Sequence, residues 1–111
     1  MINQLRVYQI FPQTAAAFHA RFRDHAARIM ARHGFRIQAM WETGAEETLA
    51  FAYLLSWQDE AEMTAGWAAF MADEEWAQIK RDTVERPIVG AIEDRVLRPT
   101  PYSAAIEGQD G

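Results

Sequence analysis

The residues in this chain best suited to chemistry are its three histidines, all inside the stretch Thr14 to Gly34. A histidine titrates near neutral pH, so one set on a pocket wall can exchange protons with a bound molecule. His25 is the candidate for that role. The competing reading for His25 is a packing histidine with one ring nitrogen bonded internally. His33 admits the same two readings, with the added benefit of a positive charge near a helix C-terminus. His19 is left uncommitted. A shared metal ion is not expected: His25 and His33 lie two helical turns apart, about 12 Å along the axis. No Asp or Glu stands three or four residues from His25.

A second group combines cation and aromatics. Arg6 and Tyr8 share one face of a strand, and Tyr53 and Trp57 share a face of another. An arginine among tyrosines and tryptophans can hold a flat anionic ligand by ion pairing and stacking, with Arg6 and Tyr8 orienting an oxyanion and Trp41, Tyr53 and Trp57 lining the cavity. Alternatively these aromatics are ordinary core, and Arg6 pairs with a carboxylate across a dimer. Trp67 and Trp76 read as core. Nucleophile chemistry has no support: there are no cysteines, and neither the serines nor the glycines form a nucleophile elbow or phosphate loop.

The elements that must carry these side chains follow from periodicity. Ile2 to Phe11 alternates as a strand, with Leu5, Val7 and Phe11 on one face and Arg6, Tyr8 and Ile10 on the other. On a regular helical wheel Phe18, Phe22, Ala26, Ile29 and Met30 fall within about 120° of each other, giving the histidine stretch one buried face. The wheel puts His33 near the middle of that face and His19 and His25 at its edges. Thr14 is the expected N-cap, and Gly34 the left-handed closing residue. Phe35 to Trp41 and Thr48 to Trp57 are strands joined by a polar hairpin loop at 43–47. The near-continuous hydrophobicity of Thr48 to Trp57 suits a central strand. Asp59 with Glu62 opens a second helical region, in which Ala61, Ala65, Ala68 and Ala72 form a small-residue stripe suited to lying close to a sheet. Asp73 starts a fresh helix that Pro87 stops. Ile88 to Leu97 is a charged strand suited to an edge.

Strand, helix, strand, strand, broken helix, strand is the α+β, ferredoxin-like βαββαβ arrangement: an antiparallel sheet with its helices on one face. The uncovered face is also apolar, so a homodimer packed sheet to sheet is expected. Residues 1–103 form the single domain, and 104–111 a flexible tail. The formal net charge of −5 argues against nucleic acid. No apolar run approaches the roughly 20 residues of a membrane span. The N-terminus does not read as a signal peptide, and a cytoplasmic location is expected.

Several motifs in order are similar to those of the NIPSNAP family: Leu5-Arg6-Val7-Tyr8, Arg23-Asp24-His25 with His33-Gly34, the strand ending at Trp41, Ala72-Asp73-Glu74-Glu75-Trp76, and Leu97-Arg98-Pro99-Thr100-Pro101-Tyr102-Ser103. His25 and His33 match histidines of the family pattern. Glu74 departs from it, where proline is usual. The resemblance implies a dimeric α/β barrel, the wider group that includes small antibiotic-biosynthesis monooxygenases and haem-degrading enzymes, with ligands between sheet and helices. It brings no catalytic residue set. The expected function is a pocket that binds or oxidises a small aromatic or polyketide-like molecule, cofactor-independent if enzymatic, with no cofactor or metal. A non-catalytic interaction or scaffold module is the alternative, and haem binding at His25 a third.

Overall fold

Residues 1–44, 48–82 and 88–103 are described in the computed structural model. The alternation of the first ten residues produces β1 (Ile2–Gln9). A short 3-10 turn at Pro12–Thr14 leads into α1 (Ala15–Arg21), a π-helical turn (Phe22–Ala26) and α2 (Ala27–Arg32). Then follow β2 (Arg36–Thr43), β3 (Ala50–Trp57), α3 (Glu60–Met71), α4 (Glu74–Asp82) and β4 (Ile92–Leu97). The sheet is antiparallel, in the order β2-β3-β1-β4. β3 is therefore central, as its hydrophobicity requires, and β4 is an edge. The fold is the ferredoxin-like α+β arrangement expected. Part of the hairpin loop, Pro87 and the tail lie outside the described residues.

Register decides which side chains meet the helices. Tyr8 pairs with Phe51, Arg6 with Tyr53 and Gln4 with Leu55. These residues point into the core with Phe18, Phe22, Phe70 and Trp76, so the helices cover this face. The other face carries Leu5 opposite Leu54, Val7 opposite Ala52, and Trp41, which also pairs with Ala52. In β2 the register shifts between Ile37 and Ala39, passing over Gln38.

The helix ends largely follow their sequences. Gly34 has φ +86°, with Phe35 N–H bonded to Met30 O at 3.1 Å and Gly34 N–H to Ala31 O at 3.1 Å, a Schellman closure. Asp59 accepts from Glu62 N–H at 2.8 Å, and Glu62 in return accepts from Gln58 N–H at 2.9 Å. Asp73 caps α4, accepting from Trp76 N–H at 3.0 Å. Thr14 is different: its hydroxyl makes no capping bond and is buried without a partner, because the 3-10 turn, not a capped first turn, brings the chain into the helix.

Two expectations about helix faces are corrected. Ala61, Ala65, Ala68 and Ala72 face solvent, and the inner face of α3 is Met63, Gly66, Trp67 and Phe70. Large side chains supply more burial than alanines do, and Gly66 alone provides the close approach. A Cβ there would lie 2.7 Å from the ring of Trp57, which is fully buried. His33 is at the margin of the core, not its middle, and bonds Asp73 at 2.8 Å. The π turn explains the displacement. Ala27 N–H reaches Phe22 O, five residues back, and the extra residue sets everything after it back by on the order of 100° relative to a regular wheel.

Arg32, His33 and Trp76 N–H converge on Asp73, while Arg28 and Arg32 hold Glu75. The His33 bond, the Trp76 N–H and Arg32 hold the Asp73 carboxyl well below the usual carboxylate range. A depressed folded-state pKa stabilises the fold fully above the unfolded value of about 3.9, and that contribution is lost as pH falls toward the folded value. Urea midpoints measured below about pH 4 should therefore fall more steeply for the parent chain than for Asp73→Asn. Gly66→Ala gains helix propensity of about 1 kcal/mol but must displace a buried indole, so a net loss of about 1–2 kcal/mol is expected in urea unfolding.

Candidate functional site

Between the helices and the covered face of the sheet lies a cavity of about 220 Å³. That is small beside the roughly 300–1,000 Å³ of pockets for drug-sized ligands. Its walls are aromatic and apolar: Phe18, Phe22, Ala26 and Met30 come from the first helical segment, Trp67, Phe70 and Met71 from α3, Trp76 from α4, and Val89 and Ile92 from the approach to β4 and its start. The π turn matters here. Phe18, Phe22, Ala26 and Met30 are four residues apart, a spacing that drifts by about 40° per step in a regular α-helix. A wider turn reduces that drift and keeps all four on one wall.

The polar part of the site is a chain of bonds starting at Gln4. Its amide oxygen accepts from Trp57 Nε1 at 3.0 Å and from Trp67 Nε1 at 2.8 Å. Its Nε2 donates to both oxygens of Asp94, at 2.9 and 3.0 Å. Asp94 also receives Arg6 Nη1 at 2.8 Å, and Arg6 Nη2 donates to the Tyr8 hydroxyl at 3.1 Å. Tyr8 and Tyr53 share a hydrogen bond of 2.5 Å. The Arg6 guanidinium lies over the Trp67 ring at 4.3 Å and Tyr8 at 5.3 Å. Burial works against the Arg6 charge, and the oxygens of Tyr8 and Tyr53 more than offset it, so its pKa is raised. Burial, with Tyr8 adding to it, pushes the Tyr53 hydroxyl well above the ordinary phenol value, which keeps it protonated and able to donate.

Arg6 and Tyr8, singled out from the sequence, both line the cavity. Arg6 pairs with a carboxylate of its own chain, the neighbouring-strand Asp94, where a partner's carboxylate was the alternative. Tyr53 and Trp57 are fully buried behind the wall and act through Tyr8 and Gln4. Trp41 is on the opposite face of the sheet, half exposed, because its register partner is Ala52 and not Tyr53. His25 does not line the cavity; its Nδ1 faces Arg28 Nη2 at 3.3 Å. His19 pairs with Glu42 at 2.7 Å. Among the described residues no cluster of potential metal ligands occurs. Sequence reading missed Arg21 and Lys80, which also line the cavity, since no spacing ties either of them to pocket residues on other elements. It also missed Gln4 and Asp94, since an amide in a strand carries no recognisable motif.

The NIPSNAP family model matches residues 3–104. The chain is similar to an uncharacterised NIPSNAP domain protein of Burkholderia xenovorans, with TM-score 0.80 at 18% identity over 95% of this chain and 100% of that one. It is similar to a NIPSNAP family protein of Agrobacterium tumefaciens, with TM-score 0.78 at 18% identity over 92% and 95% of the two chains. A monooxygenase of Streptomyces coelicolor in complex with nanaomycin D shares the fold at TM-score 0.59 and 10% identity, over 95% of this chain and 92% of that one. A comparison with curated proteins finds no match. Matched from its first strand past its last, the chain belongs to the NIPSNAP family.

Proposed function

We propose that this chain is a homodimeric protein that binds a small, flat, largely apolar molecule between sheet and helices, with an oxygen of that ligand held by Arg6 and Tyr8. The observation that carries this reading is the cavity of about 220 Å³, walled by aromatic rings and furnished with one ordered polar group. Apolar walls with a few fixed donors are the usual make-up of a ligand site. The volume suits one or two fused rings. The Streptomyces coelicolor monooxygenase of similar fold is in complex with nanaomycin D, and oxidation of a small organic compound without a cofactor is the activity to assay first. His25 takes no part in this reading, because it stands off the cavity wall.

The proposal of a dimer rests on the uncovered sheet face. Leu5, Val7, Ala52 and Leu54 are only half buried there, and Trp41 is 51% and Leu97 40% exposed. A second copy placed on this face would remove that apolar area from water at roughly 25 cal/mol per Å².

Binding of 2-naphthol, followed by quenching of tryptophan fluorescence, tests the pocket. Tyr8→Phe, which keeps the ring and removes the hydroxyl, should weaken it by about three- to tenfold, whereas His25→Ala should leave it unchanged. An equal loss in both variants would return His25 to the site. Sedimentation should find a dimer at micromolar concentration and a folded monomer for Leu54→Glu; a monomeric parent chain would contradict the dimer.

A further inference from the structure

The hydroxyl of Tyr53 belongs to a fully buried side chain, and its hydrogen has one acceptor among the described residues, the Tyr8 oxygen 2.5 Å away. Arg6, the other polar side chain beside it, only donates. A buried hydroxyl hydrogen left without an acceptor is costly, so Tyr53 donates and Tyr8 accepts. Burial also holds the Tyr53 hydroxyl well above the ordinary phenol value, which keeps that hydrogen in place. The Tyr8 oxygen accepts a second bond, from Arg6 Nη2 at 3.1 Å. A phenolic oxygen that accepts twice has no accepting capacity left and one hydrogen still to give. That hydrogen has no acceptor among the described residues. Tyr8 lines the cavity and Tyr53 does not. The direction of one bond behind the wall therefore decides what the wall presents to a ligand, a donor and not an acceptor.

We infer that the ligand of this cavity is a carbonyl compound, a ketone of one or two rings, whose bare oxygen accepts from the Tyr8 hydroxyl. This rests on the small-molecule reading above and adds the ligand's functional group. An alcohol or phenol of the same shape can also take the Tyr8 hydrogen, but it brings a hydrogen of its own. The Tyr8 oxygen is filled, and the walls contributed by Phe18, Phe22 and Met30 offer no acceptor for it. Arg6 is already paired with Asp94 at 2.8 Å, so a neutral oxygen suits it better than a carboxylate. Accepting two bonds polarises the Tyr8 O–H and strengthens the one it donates. Tyr53 and Arg6 are then positioning residues, which turn the Tyr8 hydrogen away from themselves, and Tyr8 is the residue that selects the ligand.

Titration calorimetry of the full chain with probes of one carbon skeleton, 1-tetralone, racemic 1-tetralol and tetralin, decides the matter. The ketone should bind about tenfold tighter than tetralin and about threefold or more tighter than the alcohol. An alcohol that binds as tightly as the ketone overturns the inference, because its hydrogen would have found an acceptor where the Tyr8 oxygen should be full. Tetralin binding as tightly as the ketone also overturns it. Both comparisons use the parent chain and leave the pocket standing. In Tyr8→Phe the ketone should fall to within about twofold of tetralin. Infrared difference spectra should show the carbonyl stretch of bound 1-tetralone at a higher frequency in that variant than in the parent chain, where the hydrogen bond lowers it. A stretch that the substitution does not move overturns the inference. If neither these probes nor 2-naphthol bind, the small-molecule reading fails and takes this inference with it.

Discussion

The amide of Gln4 has both lone pairs of its oxygen filled by indole N–H groups, and its nitrogen donates to the carboxylate of Asp94. An unmade bond at such a buried site would cost about 1–3 kcal/mol. The side chain therefore tolerates one arrangement of its neighbours. Trp57 comes from β3, Trp67 from α3 and Asp94 from β4, so one residue of β1 fixes two strands and a helix around it. Through Asp94 the same constraint fixes Arg6, and through Arg6 it fixes the hydroxyls of Tyr8 and Tyr53. Trp57 is further locked by Gly66, whose missing side chain lets α3 down onto the indole.

Against that rigid floor, the opposite wall of the cavity depends on a departure from regular helix. The π turn aligns Phe18, Phe22, Ala26 and Met30 over the sheet, and Phe22 contacts Phe51 and Tyr53 with ring centroids 4.7 and 5.1 Å away. Ion pairs from Arg28 and Arg32 to Glu75 and from Arg32 to Asp73, with the hydrogen bond between His33 and Asp73, then tie the end of this segment to the start of α4. His33 is part of that tie.

Strands and their order were legible because alternation and hydrophobic runs report directly on which faces are buried, as β3 between β1 and β2 illustrates. Arg6 and Tyr8 were legible as a pair because period two puts them together on any strand. Long-range register was not, and it alone separates Trp41 from Tyr53. A wheel at constant pitch cannot foresee the π turn, which is set by packing, and so it misplaced His33. It also hid Arg21, since a cation next to Phe22 reads as solvated until a cavity is known to lie beside it. The alanine stripe of α3 misled for a related reason: small residues permit close packing without requiring it.

The register shift that passes over Gln38 has a consequence for how copies of this chain can associate. It interrupts the regular ladder of β2, one edge of the sheet, while Glu93, Asp94 and Arg95 put charges along β4, the other. Irregular or charged edges resist further strand pairing. Growth by adding strands side by side has no natural end and leads to fibres, whereas two flat faces laid together close on themselves and stop. The interrupted ladder of β2 and the charged one of β4 thus both disfavour open-ended strand addition.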